Sequence, residues 1–149
     1  MMKKRDWIPP RSPYSLIQED LWSGQPECEW KILVSCMMLN CTTRKQVEKV
    51  LPEFFRRWNT PEAFIKADKV EIAALICSLG FCRRRTVNLM KMSEAYLISD
   101  WKHASELPGI GPYASRAWEI FCCGVLGDEP PHDHALVQYF EWAKRNAGC

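Results

Sequence analysis

The sequence predicts an all-α fold. No stretch of useful length alternates apolar and polar residues as a half-buried strand would, whereas apolar residues recur at three- and four-residue spacing along most of the chain. Between those segments stand helix start and stop signals, namely Thr60-Pro61, Asp68 with Glu71, and Gly80. Roughly eight to ten helices result from reading these signals in order.

Residues 6–14 carry Pro9, Pro10 and Pro13 and are expected as an extended surface arm, which divides the chain into an arm over 1–14 and a single domain over 15–149. Residues 15–22 form a short helix, followed by a loop holding Gly24 and Pro26. Residues 29–40 are apolar almost throughout and belong at the centre of the core. Thr42 or Thr43 caps a helix running to about 58 that turns Val47, Val50, Leu51, Phe54 and Phe55 inward, with Pro52 as a kink or a break. Thr60-Pro61 opens a helix to about 67, since proline is pre-set for the first helical position. Asp68 and Glu71 form a capping box for a helix ending near Leu79, stopped by Gly80. Helices over 83–98 and about 100–107 follow, then a tight turn over 108–111, a helix from Pro112 to about 123, a loop over 124–131 and a last helix over about 133–144.

The bulk numbers exclude several classes. A chain of 149 residues fits one compact domain or two small lobes sharing a core. With 47% hydrophobic and 26% charged residues it is globular in composition. A net charge of +2 does not by itself mark a polyanion-binding protein, so any nucleic-acid reading rests on where the charge sits. No apolar run reaches the roughly 18 residues a membrane span needs. Nothing resembling a secretory signal follows Lys3, Lys4 and Arg5, which read as a solvated tail or a basic arm. The 8 cysteines contain no Cys-x-x-Cys pair, which argues against zinc ribbons and redox motifs. Cys36, Cys77, Cys122 and Cys123 sit in apolar segments as small hydrophobes, and free thiols in a reducing, intracellular setting are expected.

Two constellations carry chemistry. In Leu107-Pro108-Gly109-Ile110-Gly111, two glycines flank an apolar residue between helices. Glycine allows positive φ and close approach of another backbone. Ile110 would pin the turn, leaving amides at the next helix start aimed outward as a phosphate site. The same string also fits a ligand-free corner between helices. In His132-Asp133-His134, the carboxylate precedes an apolar helix. Asp133 reads as an N-cap, as part of a metal site with the two imidazoles, or as a catalyst that stabilises an oxocarbenium-like sugar and orients water. A helix N-terminus helps such a carboxylate stay ionised, so cap and catalyst are compatible. Arg83, Arg84 and Arg85 open a helix against its dipole, a placement that an external anion would relieve.

The string at 107–111 resembles the hairpin of the helix–hairpin–helix DNA repair glycosylases, whose common form is Leu-Pro-Gly-(Val/Ile)-Gly. The likeness runs along nearly the whole chain. Trp7-Ile8-Pro9-Pro10-Arg11-Ser12-Pro13-Tyr14 is similar to the arm that opens the catalytic domain in the branch joining a thymine glycosylase to a methyl-CpG-binding domain. Trp30-Lys31-Ile32-Leu33 with Leu39-Asn40, then Leu79-Gly80, Ser93, Tyr96-Leu97 and Trp101, fit that branch. So do Tyr113 after the hairpin, Ile120-Phe121-Cys122, and Asp133-His134 followed by Leu136.

The resemblance implies a two-lobed, endonuclease III-like glycosylase fold with its helix–hairpin–helix at about 100–123. It implies no iron–sulfur cluster, because only Cys149 follows Asp133 where cluster-bearing members place four cysteines. Asp133, about twenty residues past the hairpin, takes the family's catalytic position, and Tyr113 stands where bifunctional members carry a lysine nucleophile. A monofunctional enzyme is therefore implied, removing thymine or uracil opposite guanine without a metal in the chemistry. Gly109, Ile110 and Gly111 would hold a phosphate, with a structural monovalent cation at the hairpin. Tyr113 and Gln18 would line the base pocket. Phe81 would be the wedge that fills the hole left by a flipped base, and Arg83, Arg84 and Arg85 would meet phosphates. The implied partner is double-stranded DNA bearing a mismatched or damaged base, bound by a monomer, in the nucleus if the source is eukaryotic and otherwise with the chromosome. One position departs from the pattern: Cys41 stands where the family has an arginine entering the duplex near the opposite strand, the nearest arginine being Arg44. The rival readings are a glycosylase for other damaged bases, a hairpin module that only tethers DNA, and a metal hydrolase using His132 and His134.

Overall fold

A computed structural model describes residues 9–21 and 28–147. The basic run at 3–5, the start of the arm, Gly24, Pro26 and Cys149 lie outside them. Among the described residues the chain is helical and holds no strand: α1 (Ile17–Leu21), α2 (Cys28–Leu39), α3 (Arg44–Arg57), α4 (Pro61–Ile65), α5 (Lys69–Ile76), α6 (Cys82–Ile98), α7 (Pro112–Phe121) and α8 (His134–Ala147). None of these helices is long and apolar enough to cross a membrane.

The caps explain the boundaries. Thr43 accepts from the Gln46 amide while the Gln46 side chain accepts from the Thr43 amide, a reciprocal box that starts α3. The helix runs through Pro52 unbroken. Proline's φ is helical, and the carbonyl it leaves without an amide belongs to the solvent-exposed Glu48. Thr60 caps α4 through the Ala63 amide, with Pro61 at the first position. The box expected at Asp68 is only half made. Asp68 accepts from the Val70 amide, whereas the Glu71 carboxylate turns to Arg57 at 3.2 Å. A helix over 100–107 is corrected to a single 3-10 turn, Ala104–Glu106. His103 is extended and its ring accepts from the Ser105 amide, while Glu106 accepts from the Lys102 and His103 amides, so the turn is capped where a longer helix would have passed.

Helices α4 and α5 pack on α6, with α3 against α5, on one side; α1 and α7 pack on α2 on the other. Helix α2 also touches α3 and α6 and joins both lobes. The first lobe closes on an aromatic cluster in which Phe64 lies 5.2 Å from Phe54, 5.8 Å from Trp58 and 5.8 Å from Trp30, ring centre to ring centre. The described part of the arm is tied down by its polar groups. The Glu19 carboxylate accepts from the Ser12 amide and hydroxyl and from the Leu16 amide at 2.5–2.8 Å, and the Tyr139 hydroxyl donates to the Pro10 carbonyl at 2.8 Å.

Candidate active site

A cleft of about 840 Å³ opens between the lobes. Its inner wall is the C-terminal half of α2. Gln18 enters from α1, Tyr113 from the start of α7, and Asp133 from the start of α8. The Gln18 amide donates to the Tyr113 hydroxyl at 2.5 Å and reaches the Cys36 sulfur at 3.3 Å. Residues 18, 36, 113 and 133, far apart in the chain, thus share one chamber. Burial pushes the Cys36 thiol up to about 12, with the Asp133 charge adding in the same direction against hydrogen bonds from Gln18 and Ser35. Burial raises the Tyr113 hydroxyl as well, reinforced by Cys36 and Asp133. At neutral pH the chamber floor is therefore an uncharged amide, phenol and thiol, facing a carboxylate.

Asp133 caps α8. Its Oδ2 accepts from the Leu136 amide at 3.1 Å and its carbonyl from the Val137 amide at 2.8 Å. The loop leading to it is held by Arg116 of α7, whose Nη2 donates to the Leu126 and Glu129 carbonyls, both at 2.6 Å. Its guanidinium lies over the Phe140 ring at 5.7 Å. Gly127 sits at φ +78°, and a Cβ there would come within 3.0 Å of the same guanidinium. The carboxylate is thus anchored both to α8 and to the helix that carries Tyr113. His132 lines a neighbouring cleft of about 590 Å³, and His134 begins α8. Among the described residues no three ligating side chains come together as a metal site.

The hairpin borders the same cleft. Gly109 has φ +81°, so its conformation favours glycine; a Cβ there would fall 2.8 Å from the Met37 methyl, the free end of a flexible side chain that can move aside. Ile110 is buried in the core as expected, and its amide donates to the Leu107 carbonyl at 3.3 Å. Gly111 differs: its φ of −92° suits any residue, and nothing lies within 4 Å of a Cβ built on it. The fold does not require glycine at 111.

On the rim of the same cleft stands Phe81, 67% exposed and left-handed at φ +51°. Arg84 and Arg44 line the cleft beside it, and Arg83 is exposed nearby. Arg85 does not join them, which corrects the expectation that all three arginines face phosphates. Its guanidinium is buried against five backbone carbonyls, those of Met37, Met38, Leu79, Gly80 and Asn40. The unfavourable cation at the start of α6 is relieved by the carbonyl end of α2 rather than by an outside anion. Sequence reasoning also missed Cys36, read as a core hydrophobe, and Arg116. No local signal marks the first; for the second, its place three residues after Tyr113 on one helix face was a usable one.

A glycine hairpin leading into a helix, set against an inter-lobe cleft with a capping carboxylate, defines a helix–hairpin–helix protein. Residues 34–147 match the family of HhH-GPD superfamily base excision DNA repair proteins. The chain belongs to that superfamily. It is similar to a methyl-CpG-binding domain protein 4-like protein of Arabidopsis thaliana, 36% identical over 138 residues, covering 93% of this chain and 30% of the relative. It is also similar to a thymine/uracil-DNA glycosylase of Pyrobaculum aerophilum, 33% identical over 126 residues, covering 80% of this chain and 53% of that one. The chain thus spans about half or less of the length of these relatives. Among solved structures, a thermostable thymine-DNA glycosylase superposes with a TM-score of 0.59 at 26% identity, over 63% of this chain and 46% of that one. The protein of a non-covalent endonuclease III–DNA complex superposes with a TM-score of 0.65 at 21% identity, over 81% and 57%, a likeness of fold alone. The all-α, endonuclease III-like fold read from the sequence is the one observed.

Two outcomes follow from this geometry. In urea unfolding, Gly109→Ala should cost about 1–2 kcal/mol for the left-handed backbone alone, while Gly111→Ala should stay within about 0.5 kcal/mol of the parent. Stability should also fall as pH rises above 9.0, the ordinary Cys36 value, toward about 12. In that window the unfolded chain has released a proton that the folded chain retains. A Cys36→Ala variant, titrated by urea midpoint against pH, should lack that share of the decline.

Proposed function

We propose that the protein is a monofunctional DNA N-glycosylase that removes thymine or uracil opposite guanine. The observation that carries this reading is the convergence of Gln18, Tyr113 and Asp133 in one chamber, flanked by the hairpin and by Phe81. The similarity to thymine- and thymine/uracil-DNA glycosylases supports the substrate class.

Each part has a physical task. Backbone amides at the start of α7 hold a phosphate, and Gly111 leaves room for it where a side chain would stand in the way. The target nucleotide swings out of the stack and Phe81 enters the gap, a ring broad enough to stack on the bases it separates. In the chamber the base edge takes over the hydrogen bond that Gln18 donates to Tyr113. As the N-glycosidic bond lengthens, positive charge spreads over C1′ and the ring oxygen. The Asp133 carboxylate stabilises that charge and orients the water that attacks C1′. The bond between C1′ and the base nitrogen breaks, and the products are free base and an abasic sugar. This route needs neither a metal nor an organic cofactor. Tyr113 offers no amine for a Schiff base, so the strand stays intact. Cys41 cannot make a charged contact to the opposite strand; Arg84 lines the same cleft and could make it, as could Arg44 on leaving its ion pair with Glu48 at 2.8 Å.

The test is incubation with duplexes carrying U·G, T·G or an alkylated purine, analysed with and without alkali. Release from U·G and T·G with breaks only after alkali is expected. Breaks without alkali would indicate a lyase, release confined to the alkylated purine would indicate another lesion class, and binding without release would leave a DNA tether. Gly111→Ala should weaken duplex binding although it spares the fold.

A further inference from the structure

Two non-glycine residues on the rim of the cleft hold left-handed backbone: Phe81 at φ +51° and Cys41 at φ +61°. Such conformations cost energy and persist where the surroundings impose them. They lie on separate segments, the turn before α6 and the turn after α2. One side chain spans both. Arg85 Nε donates to the Gly80 carbonyl at 2.8 Å, and Nη2 to Asn40 at 2.8 Å and Leu79 at 3.4 Å. Nη1 donates to Met37 and Met38, each at 3.3 Å. The carbonyls of Gly80 and Asn40 immediately precede the two left-handed residues. The backbone amide of Arg85 closes the ring by donating to the Phe81 carbonyl at 2.8 Å.

We propose that Arg85 is a positioning residue that sets Phe81 in register with the chamber by clamping the Gly80–Phe81 and Asn40–Cys41 turns together. The inference rests on the glycosylase reading above and assigns a task to a residue that touches neither base nor phosphate. A planar guanidinium with five donors can serve two backbone segments at once, which a single ammonium cannot. Phe81 has little side-chain packing of its own, being mostly exposed, so its direction is set by its backbone. Loss of the clamp releases the turn and spreads the ring over many directions, only some of which enter a duplex. Gly109 of the hairpin rests against the Met37 methyl, whereas Arg85 holds the Met37 carbonyl, so loss of the clamp leaves the contact that seats the hairpin in place.

The test uses the full chain with Arg85→Lys, Phe81→Ala and the double variant. A U·G duplex with 2-aminopurine beside the uracil reports base eversion by fluorescence. Single-turnover uracil release, duplex binding and a circular-dichroism melt are measured alongside. Arg85→Lys should fold and bind duplex like the parent, yet lose about tenfold to a hundredfold in eversion and release, the scale of a small misplacement. In the Phe81→Ala background the same substitution should change nothing further, because a clamp without its wedge has nothing to position. Parental eversion in Arg85→Lys, or losses that multiply in the double variant, would overturn the assignment. So would failure of both Arg85→Lys and Arg85→Gln to fold, which would make Arg85 a residue of the fold alone. A parent protein that neither everts nor releases a base overturns the glycosylase reading and this one with it; an active parent with an unaffected Arg85→Lys overturns only this one.

Discussion

Helix α2 is the fixed wall against which every part of the cleft is set. Ile32, Leu33, Val34, Ser35 and Cys36 are all buried, so the helix has no face free to shift. Trp30 seats it in the aromatic cluster and donates to the Ser93 hydroxyl at 2.9 Å, fixing α6. Cys36 floors the chamber. Met37 sits under Gly109 and locates the hairpin. The carbonyls at its end receive Arg85, and through it the rim that carries Phe81. Packing, hairpin and the Phe81 rim are therefore registered to one rigid element, which is what the proposed glycosylase would need to meet both a backbone and an everted base.

Charge is distributed with the same economy. The chamber floor is kept neutral by burial, so the Asp133 carboxylate faces an uncharged thiol and phenol. Arg116 is held by loop carbonyls and Glu119, Arg85 by backbone carbonyls and Arg44 by Glu48, while the exposed Arg84 lines the open cleft. A net charge of +2 hides this arrangement, since what bears on a polyanion is position and not sum.

Much of the fold was legible because its signals are local. Thr43, Thr60 and Pro61 mark helix starts through contacts within three residues, and Gly109 marks a turn that the backbone itself demands. Asp133 was legible as a cap for the same reason. The rest depends on partners distant in sequence. Glu71 left its box for Arg57, and Arg85 found the carbonyls of α2, forty-odd residues away. A cation opposing its own helix dipole was rightly read as seeking negative charge; whether that charge lies inside the fold or outside is set by tertiary packing. Cys36 illustrates the limit. Nothing in its neighbours separates a core thiol from one that floors a chamber, since only α1 arriving alongside brings Gln18 to it.

The proposed chemistry rests on the carboxylate at the mouth of α8, and Asp133→Asn isolates it. Asparagine keeps an oxygen for the Leu136 amide, so the cap and the fold survive while the charge is gone. Single-turnover release of uracil from a U·G duplex, measured beside duplex affinity, decides the matter. A loss of about a hundredfold to a thousandfold in release with affinity retained is the predicted result. Release at the parental rate would mean that the charge at Asp133 takes no part in cleavage.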